Sequence, residues 1–297
     1  MKLCRFNDNR LAVVDGQEVI DVTEALDVIP RSGYPLPAFD PLIANLEAVT
    51  QRIGALRGQA KRLRLEDVRL LSPVANPGKV VAAPVNYRKH LEEVLANADL
   101  HHDIKINHIE KAGLFLKAPS SLVGAGEGIQ LRKLDRRNDH EIELAVVIGR
   151  TADRVSRAQA LQYVAGYCIG LDITIRGPEE RSFRKSPDTY TVLGPWLTTA
   201  DEVPDPGRLD LHIQVNGETR QKSNTADLIL GVAELIEFAS SFYTLQPGDV
   251  ILTGTPEGVS PIRPGDVILA GIKDLGAMTV QVSARAETLG ESLAQSA

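Results

Sequence analysis

Two glutamates, Glu141 and Glu143, lie inside an apolar segment that runs from residue 139 to 149. Because side chains alternate between the faces of a strand, both carboxylates point the same way. The other face carries apolar residues: Ile142, Leu144, Val146 and Ile148. Buried like charges repel and are costly to desolvate, so either a basic side chain or a metal ion must lie between them. The alternative is an exposed, solvated or salt-bridged pair, since exposed carboxylates are common.

A third carboxylate, Asp172, lies in a second apolar segment, among Ile169, Leu171, Ile173 and Ile175. Three carboxylates in apolar surroundings form an all-oxygen donor set, which suits Mg²⁺, Mn²⁺ or Ca²⁺ better than Zn²⁺. We therefore predict a metal site made of Glu141, Glu143 and Asp172. The expected ion is Mg²⁺ or Mn²⁺, with Ca²⁺ as a substitute in crystals.

The order of the motifs resembles the fumarylacetoacetate hydrolase family from about Lys79 to Val282. The resemblance rests on these segments in sequence: VNYRKHLEEV, LFLKAPSSLVGAGEGI, HEIELAVVIGR, VAGYCIGLDITIRG, RKSPDTYTVLGPW, VNGETRQKSNTADLI and LQPGDVILTGTPEGV. Several motifs in a fixed order are more specific than any one of them. The resemblance implies metal ligands in a Glu-x-Glu on one strand and an Asp on a later strand.

The segment NYRKHLEE is predicted to begin a helix from Asn86 to Ala98 with an Asn cap. His90 and Glu93 lie three residues apart, so they share one helix face and the carboxylate can orient the imidazole. In isolation such a pair would be an ordinary surface contact. The resemblance implies that His90 and Glu93 activate water and that Asn86 and Tyr87, in the same segment, contact substrate.

Three further residues acquire expected roles from the resemblance. Lys185 would supply a cation for a substrate carboxylate or an enolate, although surface solubility is its alternative role. Arg176 and Thr255 would contact substrate, while TGTPEGV by itself is equally typical of a plain turn. The chain departs from the family at Leu171 and Gly177, where relatives often have Asn and Asp, and substrate preference depends on such neighbouring positions.

Two other polar segments resemble known sites without matching them. The segment ANADLHHDIKINHIEK contains His101, His102 and His108 and is predicted to be an extended lid loop rather than a metal site. The segment GAGEGI lacks the strand, helix and downstream acidic residue of a dinucleotide fingerprint. We predict a turn there.

Composition restricts the possible partners and the cellular location. The chain has 33 Lys and Arg against 39 Asp and Glu, a net charge of −6, with no basic run for nucleic acid or an anionic membrane. Cys4 and Cys168 lie far apart, which favours neither a disulfide framework nor a thiolate site. The chain has no apolar signal core and no apolar run of membrane-spanning length. We expect a cytoplasmic protein whose partner is a small molecule.

The pattern of segments indicates an α+β fold in two parts. Residues 1–75 are expected to form a small β meander plus an amphipathic helix from Ala38 to about Leu63, which supports the fold or contacts a second subunit. Pro73, Pro77 and Gly78 mark a boundary. Residues 76–297 are rich in strands, with a helix expected from Ala226 to Phe242, and favour a β-sandwich or rolled mixed sheet.

These observations predict a divalent-metal-dependent hydrolase that cleaves a carbon–carbon bond in a small dioxo acid such as an acylpyruvate or a diketo sugar acid. A dioxo acid offers two oxygens to the metal, and the ion can stabilise the charge that develops as the bond breaks. Decarboxylation or tautomerisation of an oxaloacetate-like acid is the alternative reaction. A catalytically silent binding protein is an alternative of another class. The resemblance also implies a homodimer.

Overall fold

Short segments of alternating apolar residues build a meander at the start of the chain. The structure is a computed structural model that describes residues 1–97, 100 and 108–285. Its first five strands are β1 (Lys2–Phe6), β2 (Arg10–Asp15), β3 (Glu18–Asp21), β4 (Arg62–Arg64) and β5 (Leu70–Leu71). The strands β1, β2 and β3 pair in antiparallel fashion, as predicted.

The amphipathic segment after β3 is helical over a shorter range than the predicted Ala38 to Leu63. It forms two helices, α1 (Pro41–Ala44) and α2 (Leu46–Leu56). Residues 62–64 pair with β3 instead, because an open strand edge offers backbone partners to a nearby segment. The apolar face of α2 packs on the meander as expected, with these residues in one cluster: Val49, Ile53, Leu3, Leu11, Val13 and Ile20.

The rest of the described chain is dominated by strands. Those before residue 200 are β6 (Val80–Ala82), β7 (Phe115–Lys117), β8 (Leu122–Gly124), β9 (Ile129–Leu131), β10 (Asn138–His140), β11 (Ile142–Ile148), β12 (Val164–Asp172), β13 (Thr174–Ile175) and β14 (Thr191–Thr199). Those after it are β15 (Asp210–Val215), β16 (Glu218–Asn224), β17 (Val250–Leu252), β18 (Ser260–Pro261), β19 (Val267–Ile272) and β20 (Gly276–Ala284).

The helices between these strands that lie wholly within the described residues are α3 (Arg88–Ala96), α4 (Ile109–Ala112), α5 (Arg181–Lys185) and α6 (Val232–Phe242). The helix α6 starts later than the predicted Ala226. Residues 225–227 form a separate 3₁₀ turn, and the Glu234 carboxylate accepts the Gly231 N–H at 2.7 Å to satisfy the new helix start.

The described strands form three sheets. The largest has twelve strands in the order β4, β3, β2, β1, β14, β12, β11, β17, β6, β7, with β5 paired to β1 and β8 to β14. A five-stranded sheet has the order β16, β15, β19, β20, β9, and a three-stranded one the order β13, β10, β18. Since β1 pairs with β14, the meander continues the large sheet. The boundary near residue 75 stays a prediction, and one sheet crosses it.

The main core lies between the large sheet, the five-stranded sheet and α6. It contains the predicted apolar face of β11 together with residues of the other elements, including Ile142, Leu144, Val146, Ile148, Ile213, Ile268, Val280 and Leu235. Ala145 and Val147 belong to a second cluster on the opposite face of β11. The predicted sandwich is therefore confirmed.

The large sheet is also strongly curved. Lys117 at the end of β7 contacts Asp172 at the end of β12, although three strands lie between them in the sheet order. In a flat sheet these strands would be about 19 Å apart, at 4.8 Å per strand, which is far beyond the reach of one side chain. The rolled sheet predicted from the sequence is thus present.

Two smaller expectations concern cysteines and membranes. Cys4 and Cys168 are both free thiols and both buried. No helix among the described residues is both long enough and apolar enough to cross a bilayer.

Candidate active site

The antiparallel pairing of β11 with β12 brings the three predicted carboxylates together. Glu143 lies opposite Gly170, and the Asp172 N–H donates to the Glu141 carbonyl oxygen at 2.9 Å. One carboxylate oxygen from each of Glu141, Glu143 and Asp172 lies within 4.8 Å of the others. All three side chains are buried. The alternation of side chains along β11 and the residue before it puts both glutamates on one face of the sheet. Asp172, at the end of β12, lies next to them.

Two cations pair directly with this group. The Lys185 Nζ donates to Glu141 Oε2 at 2.7 Å, to Asp172 Oδ2 at 2.7 Å and to Thr174 Oγ1 at 2.6 Å, so all three of its protons are used. The Arg176 guanidinium donates to Glu141 and to Asp139, both at 2.7 Å. A basic side chain was one alternative for the Glu141–Glu143 pair; Lys185 instead joins Glu141 to Asp172.

A third cation, Lys117, was missed by sequence reasoning. Its side chain is fully buried, and its Nζ donates to Asp172 Oδ1 and, at 2.8 Å, to the Tyr190 carbonyl oxygen. Burial lowers the pKa of Lys117, while the charge of Asp172 opposes that shift. The sequence did offer a signal, because a lysine inside LFLKAP is a charged residue in an apolar strand and such residues are buried only when paired.

Glu143 differs from its two neighbours because it forms no salt bridge with any described residue. Its recorded partner is the Gly254 N–H, which donates to Oε2 at 2.7 Å. Burial and then the charge of Asp172 raise the pKa of Glu143 well above its ordinary value. A buried carboxylate without a cation, beside two more carboxylates, is a donor set that a hard divalent ion fits.

Glu141 shows the opposite electrostatic balance. Burial by itself would raise its pKa, but the nearby charges of Lys185 and Arg176 outweigh burial and hold that pKa far below the ordinary value. Glu141 therefore stays ionised whether or not an ion is bound. The three carboxylates are thus unequal, with the strongest remaining demand for positive charge at Glu143.

The predicted His90 and Glu93 pair is present on α3. His90 Nδ1 lies 2.8 Å from Glu93 Oε2, and Glu93 Oε1 accepts the Gly258 N–H at 3.0 Å. The imidazole is buried and lines the same cavity as Glu141, Glu143 and Asp172. One glutamate therefore connects the helix to the TGTPEGV loop and fixes the orientation of the histidine ring.

Asn86 does not cap α3, which corrects the predicted cap. Tyr87 occupies the cap position without a side-chain cap bond. The Asn86 amide instead donates to the carbonyl oxygens of Leu230 and Thr253, both at 2.9 Å, and its oxygen accepts the Leu230 N–H at 2.9 Å. These contacts use the side chain to join separate segments, and neither Asn86 nor Tyr87 is among the residues lining the cavity.

Thr255 and Arg176 both line the cavity, and their contact with substrate stays a prediction. The Thr255 hydroxyl donates to the Ile142 carbonyl oxygen at 2.8 Å and accepts from the Gln221 amide at 2.9 Å. The Gln221 oxygen accepts the Ile142 N–H at 3.1 Å. Gln221 is a buried residue that sequence reasoning missed, and it ties the TGTPEGV loop to the start of β11.

The positions that depart from the family are filled differently. Leu171 is fully buried in the main core. A side chain at Gly177 would meet the Arg136 guanidinium, which donates to the Arg176 carbonyl oxygen at 2.6 Å and pairs with Glu179. The Arg136–Glu179 pair thus takes up the space beside Gly177.

The expected lid segment is only partly described. His101 and His102 lie outside the described residues, so their predicted role stays a prediction. His108 is exposed and precedes α4. Within the described residues, the only group of three or more candidate metal ligands is the carboxylate triad.

Fold and site together define an enzyme of the fumarylacetoacetate hydrolase type. Residues 79–283 match the family model described as "Fumarylacetoacetate (FAA) hydrolase C-terminal", and the chain belongs to this family. It is 64% identical over 284 residues to a maleylpyruvate hydrolase of Aquipseudomonas alcaligenes, covering 95% of this chain and 99% of the relative. It is 36% identical to a 2,4-didehydro-3-deoxy-L-rhamnonate hydrolase of Sphingomonas sp. strain SKA58, covering 95% and 96%.

A solved structure supports the same conclusion. The maleylpyruvate hydrolase from Sphingobium sp. SYK-6, in complex with manganese(II) ion and pyruvate, superimposes with a TM-score of 0.82. It has 40% sequence identity, and the match covers 96% of this chain and 99% of that one. The predicted family, fold and reaction class are therefore confirmed. The chain is a divalent-metal-dependent hydrolase that cleaves a carbon–carbon bond in a small dioxo acid.

Proposed function

We propose that this protein hydrolyses an acylpyruvate, with maleylpyruvate as the substrate to test first. The name of the 64%-identical relative supports that choice. The observation that carries the proposal is the position of His90, which lines one cavity with the three carboxylates and is oriented by Glu93 at 2.8 Å. A water-activating pair beside a metal-ligand set is the arrangement that hydrolysis of a dioxo acid requires.

Glu141, Glu143 and Asp172 would hold the ion. A divalent ion supplies Lewis-acid polarisation to the oxygens of a dioxo group. The His90 Nδ1–H donates a hydrogen bond to Glu93 in this proposal, which leaves Nε2 free to accept a proton from water. The water oxygen then bonds to the acyl carbonyl carbon and the adjacent carbon–carbon bond breaks. His90 returns its proton to the enolate, so that a carboxylic acid and the enol of pyruvate are released.

The remaining predicted site residues act on charge and position. Lys185 has no proton left for substrate, so we propose that it favours the developing negative charge through its field rather than through a direct bond. Arg176 contributes in the same way beside Glu141. Thr255 contacts substrate from the TGTPEGV loop, while Asn86 and Tyr87 shape the wall behind it.

Hydrolysis in ¹⁸O-labelled water tests the proposal. One labelled oxygen in the carboxylic acid product of maleylpyruvate is expected, because water supplies that oxygen. Release of CO₂ from oxaloacetate with no cleavage of acylpyruvates would replace the proposal with decarboxylation. Binding of metal without turnover of any dioxo acid would instead indicate a silent binding protein.

We further propose Mg²⁺ as the ion in cells, since an all-carboxylate set suits hard cations, with Mn²⁺ as an effective substitute. The homodimer stays a prediction, and light scattering of the purified protein tests it. A cytoplasmic location also stays a prediction, which fits two buried free thiols.

A further inference from the structure

Two arginines in the cavity wall have no carboxylate partner among the described residues. Arg181 and Arg184 lie on α5 and line the cavity with the metal-ligand set. Arg184 is 8% exposed and donates only to backbone carbonyl oxygens, of Glu179 at 3.3 Å and of Ile175 at 3.4 Å. The Arg181 guanidinium lies over the Phe115 ring, 5.5 Å from its centroid.

The other two cations of the cavity are already paired. Lys185 uses its three protons on Glu141, Asp172 and Thr174, and Arg176 donates to Glu141 and Asp139. Lys185 also lies over the Phe115 ring, at 5.6 Å, so Arg181 and Lys185 both contact one aromatic side chain. Free charged donors for a ligand are therefore concentrated on Arg181 and Arg184.

A cation that has lost much of its contact with water and has no anionic partner is costly, and this holds for the buried Arg184 and the partly buried Arg181. Burial lowers the pKa of Arg181. Burial and then repulsion by Arg176 lower the pKa of Arg184. A guanidinium held in this state gains most from a carboxylate, which it can bind through two parallel hydrogen bonds. An anionic group of a ligand would therefore bind favourably to these two arginines.

The positive charge of the cavity also favours a ligand with two negative charges over a ligand with one. Four cationic side chains and three carboxylates line it, and a divalent ion would add two more positive charges. A monoanionic acylpyruvate would leave part of this excess unbalanced. The single carboxylate of such a substrate is next to its dioxo group, and the dioxo group would lie beside the metal ligands. Arg176 and Lys185 are the cations at that end of the cavity.

We infer that Arg181 and Arg184 bind a second carboxylate, at the acyl end of a dicarboxylic acylpyruvate, and so select such substrates over acylpyruvates with a neutral acyl group. This inference rests on the proposed function and assigns its substrate class. Arg181 supplies the guanidinium oriented by Phe115, and Arg184 supplies the one fixed by backbone carbonyl oxygens.

Steady-state kinetics with two substrates test the selection. Maleylpyruvate carries the second carboxylate and acetylpyruvate lacks it. The ratio of kcat/KM for maleylpyruvate to that for acetylpyruvate should fall about ten- to hundredfold in Arg181→Gln and in Arg184→Gln, the effect of losing a hydrogen bond to a charged group. Arg154→Gln is the matched control, because Arg154 is 81% exposed, pairs only with Asp153 and lies outside the cavity wall. An unchanged ratio in both cavity variants would overturn the inference.

Binding of the two products separates this inference from the proposed function. With Mn²⁺ present, calorimetry should show maleate binding weakened about ten- to hundredfold in the two variants, with pyruvate binding weakened much less. If the binding of maleate and the binding of pyruvate were weakened equally, the arginines would bind the pyruvyl carboxylate, which contradicts the inference. A wild-type protein that binds maleate through these arginines yet cleaves neither substrate would refute the proposed hydrolysis alone. Titration with Mn²⁺ checks folding, since neither arginine contacts a metal-ligand carboxylate.

Discussion

At the scale of single residues, the site is organised around Asp172, whose two oxygens are held by two different lysines. Lys117 bonds to Oδ1 and Lys185 to Oδ2. Each lysine is nearly inaccessible to solvent, and Asp172 lies within hydrogen-bond distance of both ammonium groups. Glu143, by contrast, has no cationic partner among the described residues. Removing the Asp172 carboxylate and removing the Glu143 carboxylate should therefore change the stability of the fold by different amounts.

Replacing Asp172 with Ala should destabilise the metal-free protein by about 3–5 kcal/mol, because it leaves Lys117 and Lys185 without their shared carboxylate. Glu143→Ala removes a carboxylate that forms no salt bridge with described residues, so its cost should be clearly smaller. Both variants should lose metal binding. Urea unfolding in chelator measures the first effect, and calorimetric titration with Mn²⁺ measures the second. Equal destabilisation by the two variants would contradict this account.

Replacing His90 with Ala should lower turnover of maleylpyruvate about a hundred- to ten-thousandfold, the usual effect of losing a positioned general base. Affinity for Mn²⁺ should change little, since His90 is not a predicted ligand. His108→Ala is the matched control, because His108 is exposed and absent from the cavity wall. Turnover and Mn²⁺ affinity that fall together would assign His90 to the metal rather than to water.

At the scale of elements, the TGTPEGV loop connects the two halves of the chemistry. The Gly254 N–H donates to Glu143 and the Gly258 N–H donates to Glu93. One loop thus fixes a metal ligand and the partner of the proposed base through backbone donors. Its glycines are needed for conformation, because Gly254 has a φ of +97° and a Cβ there would lie 2.7 Å from the Asn86 Cβ.

Gly254→Ala should therefore weaken Mn²⁺ binding and turnover, since the strained loop moves its N–H away from Glu143. Gly265→Ala is a matched control, because Gly265 has a φ of +98° and open space around its Cβ position. Each variant should lose about 1–2 kcal/mol of stability from the positive φ. Only Gly254→Ala should change the Mn²⁺ affinity measured by calorimetry. Similar losses of affinity in both would show that general strain, not the loop contact, is responsible.

The N-terminal helix α2 is expected to support the fold without taking part in chemistry. Ile53 is fully buried against the meander, so Ile53→Ala should lower the free energy of unfolding by about 2–5 kcal/mol. KM for maleylpyruvate should be unchanged in the folded protein. Gln51→Ala, at an exposed position of the same helix, is the control. A raised KM with a normal circular dichroism spectrum would place this segment in the active site.

At the scale of the whole molecule, metal binding and stability are coupled. Glu141, Glu143 and Asp172 come from β11, the residue before it and the end of β12, so their convergence requires the folded sheet. An ion that binds only the folded state stabilises it by mass action, by about 2.7 kcal/mol at a free concentration of a hundred times Kd. Calorimetric melting with and without Mn²⁺ should show a higher Tm with the ion. Glu143→Ala should show no such increase.

Much of the site follows from local sequence rules. The alternation of side chains along a strand is enough to put Glu141 and Glu143 on one face, and helical spacing is enough to bring His90 next to Glu93. Both rules concern neighbours in the chain, whose geometry the backbone fixes. The meander and the apolar face of β11 follow in the same way. Helix limits were less well predicted, because the pairing of residues 62–64 with β3 depends on a neighbouring strand.

Other features depend on tertiary structure alone. Lys117 reaches Asp172 only because the large sheet curls, and Gln221 reaches Thr255 only because the strands of a second sheet pack against β11. Arg181 and Arg184 are ordinary charged residues in the sequence. Only the folded cavity shows that neither has a carboxylate partner in the part of the chain that the structure describes. The sequence by itself identified the family and predicted which three carboxylates lie together and that His90 pairs with Glu93. The folded sheet decided which cations are paired and which face the cavity free, because pairing between distant residues depends on sheet order and curvature rather than on local spacing.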